Sequence, residues 1–208
     1  MDGAHYFSAD PGTEERRRRL AVELAGRRVE VETSPGIFSP DGVDKGTAAL
    51  LSVVPDPPAQ GRFLDIGCGW GPLALTLALR SPDAQVVGVE VNNRAADLCR
   101  DNAAALGLDQ VSVHRPEDVP ADWTFELIWS NPPIRIGKQA LHELLLLWLP
   151  RLAPGGTAWL VVQKNLGADS LLPWIRTALE ETAPGEFTAE RADTVKGFRI
   201  LRVHRAGG

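Results

Sequence analysis

The segment DIGCGWG, which begins at Asp65, has the composition of a ligand-binding turn. Gly67, Gly69 and Gly71 follow an apolar run at the spacing G-x-G-x-G, and a helix-forming segment comes directly after them. Closely spaced glycines let the backbone approach a ligand, and the start of a helix carries the positive end of a dipole. The dinucleotide fingerprint G-x-G-x-x-G does not fit, because its third glycine would coincide with Pro72.

Two acidic positions extend this prediction. Glu90 ends the next apolar stretch, about twenty residues beyond the glycines, where a carboxylate can bind both hydroxyls of a ribose. Without Glu90, the glycines are also consistent with a turn that only packs a helix on a sheet. Asp118 is a candidate for binding an adenine amino group, but it lies next to Glu117, and a solvated acidic loop explains the pair equally well.

A second unusual segment is SNPP, which follows the apolar run FELIW. Pro132 and Pro133 cannot donate backbone hydrogen bonds, so no central strand or helix interior continues through them. A residue before proline is held out of the helical region, so Asn131 and Pro132 are both kept extended. Prolines that simply end a strand are the alternative. The position of the segment, after the fourth strand of the series that begins before the glycines, favours a functional corner instead.

Strands and helices alternate from residue 61 onward, which predicts a doubly wound α/β fold with a mostly parallel sheet. Before it, RLAVELAGRRVEVETS predicts an antiparallel hairpin that turns at Ala25 and Gly26, and TAALLSVV predicts a short helix. We therefore expect one domain, with an extension over residues 1–60 packed on a core over residues 61–208. The core strands are predicted in RFLDIG, QVVGVEV, QVSVH, FELIWS, TAWLVVQ and GFRILRVH, and its helices at 72–80, 94–106, 138–152 and about 170–182.

Composition limits the class of protein. The 208 residues carry a net charge of −5, so no global positive field attracts nucleic acid, although a local patch can suffice. Cys68 and Cys99 fit neither a disulfide framework nor a zinc spacing, and we predict no metal site. The longest apolar run is far below the ~18 residues of a membrane helix. We expect a soluble cytoplasmic protein, and the sequence does not indicate its oligomeric state.

The run RRRR over residues 16–19, with Arg27 and Arg28, is a candidate phosphate-binding surface. Acidic residues lie close to it in the sequence, and charge runs are more often solvated faces.

Taken together, these motifs resemble a known enzyme family. LDIGCGWGPLAL, the acid after the second strand and NPP after the fourth are similar to class I S-adenosylmethionine-dependent methyltransferases. HYFS, GIFSPDGVDKGT and SNPP followed by GK resemble, more narrowly, the small methyltransferase domain of ribosomal RNA guanine-N2 methyltransferases, over a span from His5 to about Ala168. The resemblance implies a seven-stranded Rossmann-like methyltransferase sheet, S-adenosyl-L-methionine as cofactor and an RNA substrate. The implied cofactor-binding residues are Asp65, Gly67, Cys68, Gly69, Gly71, Glu90, Asp118 and Thr47.

The resemblance also implies a catalytic role for the Asn-Pro-Pro corner. The Asn131 side-chain oxygen and the Pro132 carbonyl would each accept one N–H of an exocyclic amine, with Pro133 completing the rigid turn. The family usually has an aromatic residue next, whereas this chain has Ile134 followed by Arg135. Ile134, Arg135 and Phe38 are the implied substrate-binding residues.

The sequence leaves open both the role of one segment and the function of the chain. The segment DKGT over residues 44–47, which ends at Thr47 and is implied to border the methionine end of the cofactor, is also explained as a plain N-terminal helix cap. Three interpretations of the function are open. In the first, the methyl acceptor is guanine N2 of ribosomal RNA, and in the second it is a protein glutamine amide or a small-molecule amine. In the third, the chain is a cofactor-binding module without turnover. The ribosomal relatives often carry a further degenerate domain, so we expect target recognition to come from the hairpin, surface loops or a partner.

Overall fold

The computed structural model describes residues 16–133, 136–164 and 168–207. Nine strands and five α-helices lie in these ranges. The strands are β1 (Arg18–Leu24), β2 (Arg27–Thr33), β3 (Arg62–Ile66), β4 (Gln85–Val89), β5 (Val111–His114), β6 (Phe125–Ser130), β7 (Leu152–Gln163), β8 (Phe187–Val195) and β9 (Phe198–Arg205). The helices are α1 (Lys45–Leu51), α2 (Pro72–Arg80), α3 (Asn93–Ala105), α4 (Lys138–Trp148) and α5 (Ala168–Thr182).

Seven of the strands form one sheet, in the order β5-β4-β3-β6-β7-β9-β8, and β1 and β2 form a separate antiparallel hairpin. The pairs β3–β4, β4–β5 and β6–β7 are parallel, whereas β9 runs antiparallel to both of its neighbours. The predicted fold class, a mostly parallel seven-stranded sheet with an N-terminal antiparallel hairpin, is confirmed.

The described chain forms two compact units. One comprises the described part of Met1–Asp44 together with Asp56–Ala121, and the other comprises Lys45–Pro55 together with the described part of Asp122–Gly208.

In the first unit, the strands β3 and β4 are buried almost throughout, as their apolar sequences require. Helix α2 begins with Pro72, which needs no amide donor at that position. The β1–β2 hairpin turns at Ala25 and Gly26, both with positive φ (51° and 72°), the mirror-image turn that matches the twist of a hairpin. The hairpin packs against α2 and α3.

In the second unit, α1 packs against β7 and β9, and α5 packs against β8. Its core contains Trp129, Trp148 and Phe125, of which the last two meet edge to face with their ring centroids 6.3 Å apart. Gly156 lies where β7 meets the start of β6, and a Cβ there would be 2.9 Å from the Phe125 carbonyl oxygen. Only glycine fits this close approach of two backbones.

Two details differ from the prediction. The helix expected over residues 138–152 ends at Trp148, a 3₁₀ turn covers Leu149–Arg151, and APGG belongs to strand β7 rather than to a loop. Pro150 explains this end, because proline removes a backbone donor and disfavours helix in the residue before it. Strand β8 was not predicted, since most of its side chains are polar and exposed, as suits the edge strand it is.

None of the helices in the described part of the chain combines the length and apolar character that a bilayer span requires.

Candidate functional site

The glycine turn after β3 is held by the end of β4. The backbone N–H groups of Gly67 and Cys68 both donate to the Val89 carbonyl oxygen, at 2.9 and 3.1 Å. At Gly69, φ is +57° and a Cβ would meet nothing within 4 Å, so the backbone there borders open space. The turn therefore offers an open backbone surface at Gly69, while four of its amides, those of Gly67, Cys68, Gly69 and Gly71, are bonded within the protein rather than offered to a ligand as the sequence suggested.

Glu90 lies directly beside this open position. Its carboxylate accepts the Gly69 N–H at 3.0 Å and the Asn92 N–H at 2.9 Å. Burial raises the pKa of Glu90, and the backbone amides that bond to the carboxylate oppose this rise. The structure thus brings together the two residues, Gly69 and Glu90, from which the sequence predicted a ribose-binding carboxylate.

Asp65 lies beneath the turn rather than at its surface. Its side chain is 1% exposed, and Oδ2 accepts the Ala74 N–H at 2.9 Å in the first turn of α2. The other oxygen, Oδ1, is buried without a hydrogen-bond partner in the described chain. Burial raises the pKa of Asp65 to about 8, the Ala74 bond opposes the rise, and the charge of Glu90 adds to it. Asp65 therefore anchors the start of α2, and its role toward a cofactor stays a prediction.

The Cys68 side chain also points inward. Its hydrogen bond with Cys99 and its burial raise the pKa of the Cys68 thiol. A Cβ at Gly88 would be 2.9 Å from the Cys68 sulfur, and one at Gly71 would be 2.8 Å from the Cys99 sulfur. The glycines therefore make room for two buried thiols that pack α3 against the turn. Toward a ligand, Cys68 and Gly71 can contribute only backbone.

Asp118 is exposed at the end of a 3₁₀ turn that follows β5. Its neighbour Glu117 accepts a hydrogen bond from Arg115 at 2.7 Å, and this bond lowers the pKa of Glu117. Because Glu117 is committed to Arg115, Asp118 is the better candidate of the two for contact with a ligand.

The segment that contains Phe38 is fastened to the glycine turn. The indole N–H of Trp70 donates to the Ser39 carbonyl oxygen at 3.1 Å, and Phe38, the preceding residue, is 47% exposed. Asn102 supports the same arrangement from α3, since its side-chain N–H groups donate to the carbonyl oxygens of Trp70 and Glu32, both at 3.0 Å. The first unit thus presents an exposed aromatic ring on a segment tied to the turn.

The arginine run is largely engaged within the protein. Arg17 forms ion pairs with Asp101 and Glu32, and Arg18 bonds to Asp41. These pairs favour a solvated, internally neutralised face over a phosphate-binding surface at Arg17 and Arg18.

In the second unit, the Asn-Pro-Pro corner follows the end of β6. The Asn131 side-chain nitrogen donates to Thr47 Oγ1 at 3.1 Å, and Pro132 is buried. The Ile136 N–H donates to the Pro133 carbonyl oxygen at 3.1 Å. The predicted substrate residues Ile134 and Arg135 lie outside the described residues.

Thr47 is the third residue of α1, which begins directly after Asp44, and its side chain is 2% exposed. Residues 44–47 therefore open a helix, as the capping interpretation expects, and Thr47 in addition contacts the predicted catalytic asparagine.

Two cationic side chains lie beyond the carboxyl end of β7, within the same unit. The Lys164 N–H donates to the Gly197 carbonyl oxygen at 2.9 Å, which fastens Lys164 to the β8–β9 turn. Lys196, in that turn, has a φ of +47° and is exposed, as is Lys164. A positive φ is unusual for lysine, and Lys196 adopts it in the turn to which the Lys164 backbone is bonded.

Sequence reasoning missed two features of the site. Asn102 lies on the buried face of α3, where its amide bonds to the hairpin and to the glycine turn. A polar residue among apolar positions was the available signal. Val91, directly after Glu90, has an apolar side chain that is 38% exposed. Among the described side chains, no three His, Cys, Asp or Glu residues cluster as metal ligands.

Comparison with known proteins gives a consistent picture. The model of the methyltransferase small domain matches residues 28–195. The uncharacterized protein YbxB of Bacillus subtilis is 31% identical over 204 residues, which cover 97% of this chain and 98% of that protein. The ribosomal RNA small subunit methyltransferase C of Serratia proteamaculans is 37% identical over 153 residues, 70% of this chain and 41% of that protein.

A similar fold is found in the T. thermophilus 16S rRNA N2 methyltransferase, which was solved in complex with AdoMet and guanosine. The TM-score is 0.73 at 24% sequence identity, over 94% of this chain and 52% of that one. The chain thus spans about half the length of the ribosomal RNA methyltransferases that it matches.

Proposed function

The chain belongs to the methyltransferase small domain family, and on this premise we propose that it transfers a methyl group to an exocyclic amino group, specifically guanine N2 of ribosomal RNA. The family resemblance inferred from the motifs is confirmed. The chain is therefore a methyltransferase, and S-adenosylmethionine is its cofactor. When bound, S-adenosylmethionine supplies an electrophilic methyl group on a positively charged sulfur.

The residues of the first unit fit this cofactor. The open backbone at Gly69 leaves a space that a side chain would fill, and the Glu90 carboxylate beside it suits a pair of ribose hydroxyls. Val91 adds an exposed apolar contact next to Glu90, which suits one face of a purine. Asp118 supplies an exposed carboxylate for an amino group. We propose that these four residues bind the nucleoside part of the cofactor.

The observation that carries the acceptor chemistry is the orientation of Asn131. Its amide nitrogen is bonded to Thr47, so the amide oxygen is presented on the other side as a hydrogen-bond acceptor. Asn131 Oδ1 and the Pro132 carbonyl oxygen together accept the two N–H bonds of the amine. The nitrogen then becomes more tetrahedral, and its lone pair is freed from the ring.

Accepting both N–H bonds also stabilises the positive charge that develops on the amine nitrogen. Because the prolines fix the corner before the substrate arrives, Asn131 and Pro132 lose little conformational freedom on binding. The methylated ammonium is acidic, so its proton passes to water without a dedicated base. This chemistry needs two aimed acceptors and no strong base, which fits the residues present.

The preference for an RNA acceptor rests on the matched ribosomal RNA methyltransferases and on Lys164 and Lys196. Both lysines lie beyond the carboxyl end of β7, in the unit that contains Asn131, where they suit backbone phosphates. Phe38 provides an exposed ring for stacking on a base. Because ribosomal RNA is the proposed substrate, we place the enzyme in the cytoplasm.

The experiment that tests this function supplies labelled S-adenosylmethionine with ribosomal subunits, with free ribosomal RNA and with total protein from cells lacking the gene. Label in RNA, recovered as N2-methylguanosine after nucleoside digestion, is the expected result. Label in another nucleoside would contradict the guanine assignment. Label in protein, released as methylglutamine on hydrolysis under amide-preserving conditions, would move the acceptor to an amide. Cofactor binding without transfer to any fraction would contradict the proposed substrate class.

A further inference from the structure

We propose that Thr47 is a positioning residue that sets the orientation of the Asn131 amide for methyl transfer. This inference rests on the proposed function. It differs from the role implied by family resemblance, in which Thr47 borders the methionine end of the cofactor.

The geometry places a hydroxyl against the donor end of the amide. Asn131 Nδ2 donates to Thr47 Oγ1 at 3.1 Å, although the two residues are 84 positions apart in the sequence. Thr47 is 2% exposed, so a water molecule from bulk solvent does not readily replace its hydroxyl. Helix α1 carries Thr47 and packs on β7 and β9, while β6, which ends directly before Asn131, pairs with β7. The hydroxyl and the asparagine are therefore held by the same part of the sheet.

The chemical consequence follows from the asymmetry of an amide. One end of the Asn131 side chain accepts hydrogen bonds and the other end donates them. Only the oxygen can accept an N–H of the substrate amine, whereas a nitrogen in that place would face another donor. By accepting from Nδ2, Thr47 favours the orientation that presents Oδ1. It also limits rotation of the side chain, so that the acceptor is aimed before the substrate binds.

The two roles for Thr47 predict different kinetic effects. If Thr47 orients Asn131, its loss lowers kcat and leaves cofactor affinity nearly unchanged. If Thr47 instead binds the methionine end of the cofactor, its loss raises the cofactor Kd whether or not Asn131 is present.

The test compares Thr47→Val, which keeps the volume and removes the hydroxyl, with Thr47→Ser, which keeps the hydroxyl. Each is made in the wild-type and Asn131→Ala backgrounds. Methyl transfer to ribosomal RNA is measured with saturating labelled cofactor, and cofactor Kd is measured by calorimetry. Thermal unfolding checks that each variant is folded. If Thr47→Val unfolds, Thr47→Ala serves as the second variant, because it also removes the hydroxyl and predicts the same loss of kcat without a change in cofactor Kd.

We expect Thr47→Val to lower kcat by roughly 10- to 100-fold, the scale on which misplaced groups affect catalysis, with a cofactor Kd within about twofold of wild type. Thr47→Ser should retain most of the activity. In the Asn131→Ala background, Thr47→Val should have no further effect on kcat, since the residue it positions is gone. An equal loss of kcat in both backgrounds, or a Kd raised in proportion, would overturn the inference. Failure of the proposed function is a separate outcome, because the wild-type enzyme itself would then not methylate RNA.

Discussion

Replacing Asp65 with asparagine should change how stability depends on pH. Asp65 Oδ2 accepts the Ala74 N–H in the first turn of α2, and its other oxygen is buried without a partner among the described residues. In Asp65→Asn, the amide oxygen can keep the bond to Ala74 while the side chain carries no charge at any pH. The two proteins therefore differ mainly in the cost of burying an ionised carboxylate.

The size of the effect follows from the two pKa values of Asp65. The folded-state pKa is about 8, above the ordinary aspartate pKa of 3.8, so folding favours the protonated acid. The resulting stabilisation is fully present below the unfolded-state pKa and is lost as pH rises through the folded-state pKa. Between pH 5 and pH 8 the folded state binds nearly one more proton than the unfolded state, and the free energy of unfolding should fall by ~3–4 kcal/mol from this group.

The assay is urea unfolding of the cofactor-free protein at pH 5, 6, 7 and 8, followed by tryptophan fluorescence. Wild type should lose stability relative to Asp65→Asn as pH rises, with the difference growing by about 1.4 kcal/mol per pH unit up to pH 7 and by less near pH 8, where the folded-state acid is half ionised. Asp56→Asn, at a surface position whose side chain is 94% exposed, controls for the loss of a carboxylate in general. Parallel curves for wild type and Asp65→Asn over this range would refute the burial argument.

Three further outcomes follow from single contacts. Asn102→Ala should lower the free energy of unfolding, measured by urea titration, by roughly 2–4 kcal/mol, because the Glu32 and Trp70 carbonyls lose their partner. A loss below about 0.5 kcal/mol, the range of ordinary surface changes, would contradict this. Gly71→Ala should lower the thermal stability of the protein more than Gly26→Ala does. Both glycines have positive φ, but only at Gly71 would a Cβ lie 2.8 Å from a sulfur, that of Cys99. Equal losses of stability in the two variants would contradict the packing argument. The double variant Lys164→Gln with Lys196→Gln should weaken RNA binding and reduce the slope of log affinity against log salt by up to about 2, while an unchanged slope would exclude phosphate contact.

The sequence was sufficient where a local pattern determined the structure. The hairpin about Ala25 and Gly26, the helix that starts at Pro72 and the strand that ends before Asn131 all follow from turn chemistry and apolar periodicity. The juxtaposition of Glu90 with Gly69 was also predictable, because adjacent parallel strands bring their carboxyl ends together.

The sequence was insufficient where pairing or distant contacts decided the outcome. Strand β8 has a polar, mostly exposed sequence, and its strand conformation comes from pairing with β9. The buried amide of Asn102 bonds to the edge of the hairpin. Apolar periodicity along α3 shows that position 102 faces inward, but it does not show which distant residues the amide contacts. The bond between Thr47 and Asn131 joins residues far apart in the chain, so no spacing rule could propose it.

The measurement that tests the central claim most directly is single-turnover methyl transfer to ribosomal RNA by wild type and by Asn131→Ala, with cofactor Kd measured on the same preparations. If Asn131 supplies an acceptor for the amine N–H only as charge develops, the rate should fall by roughly 10²- to 10³-fold, while the Kd stays within about twofold. An unchanged rate in Asn131→Ala, with the protein folded and the cofactor bound, would contradict the proposed mechanism.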